Sequence, residues 1–129
     1  MERVEEAAVN KLKKCRSLMR LARMRLSDLK SPTISDMPSS PAYGNAIEDK
    51  VISQANAQAE LKEIYQAISW LKKDEQQLLF AKFMDPEEPT DIMIYLDMGL
   101  DERTFYRLQS KALMEFAESY RYGSLFVNS

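Results

Sequence analysis

From Val4 onward, apolar residues recur at Ala8, Leu12, Cys15, Met19, Ala22, Leu26 and Leu29, separated by 4, 4, 3, 4, 3, 4 and 3 positions. Steps of three and four keep all of these side chains on one stripe of an α-helix, whereas a strand would scatter them over both faces. The spacing predicts one long helix from about Glu2 to Leu29 carrying a nearly strict heptad seam. A seam of this kind has to be covered, either by a later helix of the same chain or by a second copy. Cys15 lies within it and reads as buried filler, not as a reactive thiol.

The rest of the chain has the composition of an all-α protein. Glycine is scarce, at 3 in 129 residues, and Leu, Met, Ala, Lys, Glu, Gln and Arg fill the intervals that glycine would break. Pro32, Pro38 and Pro41, the Ser39-Ser40 pair and the Gly44-Asn45 turn signal mark residues 31–46 as a connector, with Ile34, Met37 and Tyr43 available to pin it to flanking helices. A second helix is expected from about Ala46 to Lys73, with Ala57, Leu61, Ile64, Ile68 and Leu71 as its buried face. Asp74, with Gln77 three residues on, reads as the N-cap of a third helix ending near Asp85-Pro86. The expected organisation is a long antiparallel hairpin over residues 1–73 and a C-terminal helical unit over 74–129, with the helix at 46–73 shared between them.

The residue inventory excludes several chemistries. Histidine is absent and cysteine occurs once, so zinc-finger sites and Ser-His-Asp triads are ruled out. The carboxylates are spaced as solvated helix surface, so no catalytic residue, metal or cofactor is expected and the chain reads as a non-enzyme. Glu2, Glu5 and Glu6 open a segment lacking the apolar core of a leader, and no apolar run is long enough to cross a bilayer. With a single cysteine, these features fit a cytoplasmic protein with no membrane partner.

The net charge of −2 is unevenly distributed. Residues 1–30 carry nine basic and four acidic groups, a balance of +5, and the remaining 99 carry nine and sixteen, a balance of −7. A negative total is thus compatible with a local positive face.

The segment from Thr90 to Tyr122 carries the sharpest functional signal. Thr90 can cap a short helix through Leu96, Gly99 supplies a permissive turn position, and Asp101 can cap a long last helix. Phe105, Leu108, Ala112, Leu113, Phe116, Ala117 and Tyr120 then form its core-facing stripe. A short helix, a tight turn and a longer helix form a helix-turn-helix, whose second helix can enter the major groove of double-stranded DNA. On the outward face, Arg103 and Arg107 are suited to guanine edges and Glu102 to cytosine. Thr104, Tyr106, Ser110 and Lys111 are suited to backbone or flanking contacts. From Pro89 to Gly123, however, four basic residues face six acidic ones, so strong isolated DNA binding is not expected.

Two stretches make the chain resemble a known family. Ser31 to Pro41, followed by Gly44-Asn45-Ala46-Ile47-Glu48-Asp49, is similar to the central motif of the ArpU family of phage and prophage transcriptional regulators. Glu102 to Leu108, with Lys111 to Tyr120, resembles that family's terminal motif. The last helix also resembles the sigma-factor helix that reads the upstream promoter element. That likeness implies a sigma-like helix-turn-helix and places base reading on Glu102, Arg103 and Arg107. Tyr106 stands where sigma factors typically carry arginine, so a standard promoter element is not the expected target. The family resemblance implies control of late phage genes, for packaging or lysis. A homodimer is the expected assembly, since one small reading head covers only a half-site, with host RNA polymerase as the sigma-like alternative partner. Two other readings stay open: a helical protein–protein interaction protein, and a packaging accessory without sequence preference.

Overall fold

A computed structural model of the chain describes residues 2–30 and 45–120. The described residues form helices α1 (Glu2–Leu12), α2 (Cys15–Ala22), α3 (Leu26–Lys30), α4 (Asn45–Ser69), α5 (Lys73–Phe83), α6 (Asp91–Asp97) and α7 (Glu102–Ser119), with no strand among them. The chain is all-α. The expected connector contacts of Ile34, Met37 and Tyr43 lie outside the described residues.

The single helix expected from Glu2 to Leu29 is instead broken twice. The apolar stripe survives the breaks: Val4, Ala8, Leu12, Cys15, Ala22 and Leu29 are all buried. The two halves of the stripe have different partners, α1 packing on α7 and α2 on α4, so the axis must turn between them. The turn falls at Lys13-Lys14, where the hydrogen bonds tighten before Leu18 resumes the helical pattern by donating to the Lys14 carbonyl. The second break is a left-handed helix terminus. Arg23 has φ 58°, and its N–H and that of Met24 return to Arg20 and Met19. Asp28 then accepts the Arg25 N–H at 2.9 Å and starts α3. Two glutamines of α4, Gln54 and Gln58, donate to the Ala22 carbonyl and satisfy an acceptor that the end of α2 leaves open.

Helix α2 packs on α4, and α1 packs on α7. The main core draws on α1, α2, α4, α5, α6 and α7, and a smaller cluster of Ala22, Leu29, Ala57 and Leu61 extends it between the N-terminal helices and α4. Lys11 at the end of α1 forms an ion pair with Glu60 of α4 at 2.9 Å and lies over the Tyr120 ring at 5.5 Å. Cys15 is buried as expected, and burial, reinforced by Glu60, pushes its thiol up to about 12.

Two further boundaries differ from expectation. Helix α4 stops at Ser69, leaving Trp70 largely exposed, while Leu71 folds back into the core. Helix α5 begins at Lys73 with Lys72 as its N-cap, two residues before the expected Asp74. Glu75, fully buried, decides this start because its Oε1 accepts the Lys72 N–H at 3.1 Å. At the other end of α5, Arg16 of α2 donates to the carbonyls of Lys82 and Asp85, both at 2.8 Å. That contact satisfies open carbonyls at a helix end and fastens α2 to the segment leading into α6.

Candidate nucleic-acid interface

Helices α6 and α7 are built as their sequence predicts. Thr90 accepts the Met93 N–H at 3.2 Å and caps α6. Gly99 takes φ +73°, a conformation that costs glycine little, and the Leu100 N–H closes the turn onto the Tyr95 carbonyl at 2.8 Å. Asp101 accepts the Thr104 N–H at 2.9 Å and caps α7. Hydrogen bonds from Thr104 hold the Asp101 carboxyl below the usual carboxylate range, with Arg107 adding to the effect. Phe105, Ala112, Leu113, Phe116, Ala117 and Tyr120 are buried and Leu108 is half-buried, which fixes the orientation of α7.

With that stripe inward, Glu102, Arg103, Thr104, Arg107, Ser110 and Lys111 are all exposed. Arg103 and Arg107 stand one helical turn apart, about 6 Å along the axis. Neither guanidinium is held by a hydrogen bond or ion pair among the described residues. Both are free to meet a ligand, on the first two turns of a capped helix.

Tyr106 has a further role that sequence reasoning missed. Its hydroxyl donates to Asp91 Oδ2 at 3.0 Å, and this bond holds the phenol above its ordinary range. The other oxygen of Asp91 meets Lys82 Nζ at 3.1 Å, and Lys82 also donates to Gln109 at 2.6 Å. Four side chains thus clasp α5, α6 and α7 together beside the exposed arginines. The contacts are partly solvated and add little stability, but they link α6 to both α5 and α7. Asp91 and Lys82 look like ordinary surface charges in the sequence, because only the tertiary fold brings them together.

Helix α6 has an unusual outer face. Ile92, Met93 and Leu96 are 57%, 59% and 66% exposed, on a helix whose one fully buried residue is Ile94. Three large apolar side chains on so short a helix form a patch fit for contact with another macromolecule.

A shallow groove of about 620 Å³ lies where α3, α4 and α5 meet, lined by Tyr65, Phe80 and Leu26 and flanked by Lys30, Lys73 and Asp85. No group of three or more potential metal ligands occurs among the described residues, and none of their helices is long and apolar enough to cross a membrane.

No family model matches the sequence, and no solved structure matches it. Among curated proteins, the chain is 39% identical over 116 residues to a protein of Enterococcus hirae described as "Putative autolysin regulatory protein ArpU". The alignment covers 90% of this chain and 85% of the relative. The chain belongs to the ArpU family. At that coverage the likeness takes in most of this ArpU-family chain and is not confined to α6 and α7.

Proposed function

We propose that this ArpU-family chain is a sequence-specific DNA-binding regulator of transcription, with α6, the Gly99 turn and α7 acting as a helix-turn-helix. The carrying observation is the pair Arg103 and Arg107, exposed and unengaged on the capped start of a helix whose orientation the core and the Asp91 clasp fix. In this reading α7 enters the major groove, Arg103 and Arg107 donate to guanine edges and Glu102 accepts from cytosine. Thr104, Ser110 and Lys111 meet the sugar–phosphate backbone, and Tyr106 positions α6 while its ring edge flanks the groove. The genes controlled are late phage functions, packaging or lysis, as the family implies. The description of the Enterococcus hirae relative as an autolysin regulator agrees with the lysis branch.

The test is selection of bound sequences from a random duplex library, repeated with Arg103→Ala and Arg107→Ala. The unmodified chain should enrich one motif. Each variant should keep its helicity while losing about 1–3 kcal/mol of preference at one base pair. No enriched motif at low salt overturns the DNA-reading function, and an unchanged motif in both variants overturns the residue assignment alone.

A second reading is favoured by the apolar face of α6: the chain acts as a protein-interaction module, with RNA polymerase or a second copy on Ile92, Met93 and Leu96. The heptad seam considered as a dimer surface is buried within the monomer, so a homodimer has to use another face. Sedimentation equilibrium distinguishes these cases, since a mass near 15 kDa across the micromolar range removes the stable dimer.

A further inference from the structure

The proposed reading head is short of positive charge. Its exposed cations are Arg103, Arg107 and Lys111, and acidic residues outnumber basic ones between Pro89 and Gly123. Duplex affinity comes largely from neutralised phosphates. With two of its three cations assigned to bases, the reading head leaves only Lys111 for phosphate.

Further positive charge lies on and around α2. Arg16 and Arg20 stand one turn apart on the helix, Lys13 lies in the turn before it, and Arg23 ends it. The Arg16 guanidinium sits on the Lys82 and Asp85 carbonyls, at the end of α5 that leads into α6. Lys82 in turn holds Asp91 in the first turn of α6 and Gln109 of α7. Arg16 thus ties α2 to the segment that leads into α6, the helix that crosses the DNA backbone when a helix-turn-helix docks.

Three of the four side chains are unspent. Lys13, Arg20 and Arg23 are exposed and form no ion pair or hydrogen bond through their side chains among the described residues. No carboxylate among the described residues forms an ion pair with them. Arg23 adds an independent observation. It occupies a left-handed helix terminus, φ 58°, where glycine or asparagine would sit with less strain. Observed strain at a charged, exposed position points to a use for the side chain outside the fold.

We infer that Lys13, Arg20 and Arg23 form a second, sequence-independent contact surface for the phosphate backbone of duplex DNA, flanking the proposed reading head. This inference rests on the DNA-binding reading, and it divides the work. Helix α7 distinguishes sequences, and the cations on and around α2 supply the salt-dependent affinity that the acidic C-terminal segment lacks.

The experiment measures affinity against salt concentration for the full chain on its selected duplex and on a scrambled duplex. The triple variant Lys13→Gln, Arg20→Gln, Arg23→Gln is compared with the unmodified chain, and circular dichroism melting verifies the fold. A single Arg23→Asn variant removes the same charge from the strained position while easing the backbone. The triple variant should weaken both duplexes by a similar factor. It should also lower the slope of log affinity against log salt by about 0.9 for each phosphate no longer neutralised, near 3 in all. The selected motif should not change, and Arg23→Asn should melt higher yet reduce the slope by about one unit. An unchanged slope in a folded triple variant overturns the inference while leaving the reading head intact. Unchanged DNA binding with loss of an acidic protein partner overturns it in the same way. Salt-dependent binding without an enriched motif, abolished in the triple variant, sustains the inference and overturns sequence-specific reading instead.

Discussion

Glu75 of α5 and the partly exposed Glu115 of α7 bring two carboxyl groups together where the two helices meet. Glu75 is fully buried, and one of its oxygens is used by the Lys72 N–H. Its other oxygen, Oε2, has no donor when Glu115 is ionised. The hydrogen bond to Glu75 holds the Glu115 carboxyl above the usual carboxylate range, helped by desolvation and by the charge of Glu75, with Lys111 and Lys72 opposing. The sign of the linkage follows. A carboxyl raised on folding favours the folded state below its unfolded value, near 4.5, and that contribution is lost as the pH climbs through the raised value. At neutral pH the pair is thus a liability, and Glu115→Gln, which keeps a donor for Glu75 and removes a charge, is stabilising. The expected outcome is a melting temperature higher by a few degrees at pH 7, with the difference vanishing near pH 4. A lower melting temperature for the variant at pH 7 would show that the ionised carboxylate is wanted. None of this is visible in the sequence, where residues 75 and 115 lie on separate helices and both fit a solvated surface.

Helix ends were easier to anticipate where a cap is made within one stretch of chain. Thr90, Gly99 and Asp101 perform the roles their residue types suit, because each acts on backbone no more than a few positions away. Gly99 gives a clean test. A Cβ there would meet nothing within 4 Å, so Gly99→Ala carries only the cost of holding φ +73°. Chemical denaturation should show a loss of about 1 kcal/mol without any change in the exposure of Phe105. A loss of several kcal/mol would mean that the turn had moved. The breaks in the N-terminal segment were hidden for the opposite reason. The stripe from Val4 to Leu29 keeps its register through both bends, so periodicity reports burial faithfully and says nothing of which partner does the burying. Arg23 also gives no local warning, since the residue in its position is neither glycine nor asparagine. The start of α5 moved from Asp74 to Lys72 because Glu75 is pulled into the core, a tertiary demand that outweighs a good local cap.

Across the whole molecule, the packing of α1 on α7 makes the N-terminal segment part of the frame that carries the proposed reading head. Deleting residues 2–12 removes the buried side chains of Val4, Ala8 and Leu12 and uncovers the end of α7 that carries Tyr120. The loss is on the order of 5 kcal/mol, comparable with the roughly 5–15 kcal/mol that holds a whole domain. The truncated chain should melt far below the full chain or without cooperativity, and hydrogen exchange should show α7 losing protection first. A fragment spanning 74–129 should fail in the same way, and a cooperative melt from it would show that α7 needs no N-terminal support.

That α1 closes on α7 also sets when the core can form. Domains generally begin to fold as they leave the ribosome, at about 5–20 residues per second, but a core that joins α1 to α7 cannot close until the last helix has emerged. Contacts so distant in sequence come together late and at a high cost in loop closure. The basic segment through Lys30 is therefore made well before α7, and α7 takes its final orientation only when it meets α1. If the proposed function holds, nascent chains pass through a stage of indiscriminate phosphate binding before they can choose among sequences.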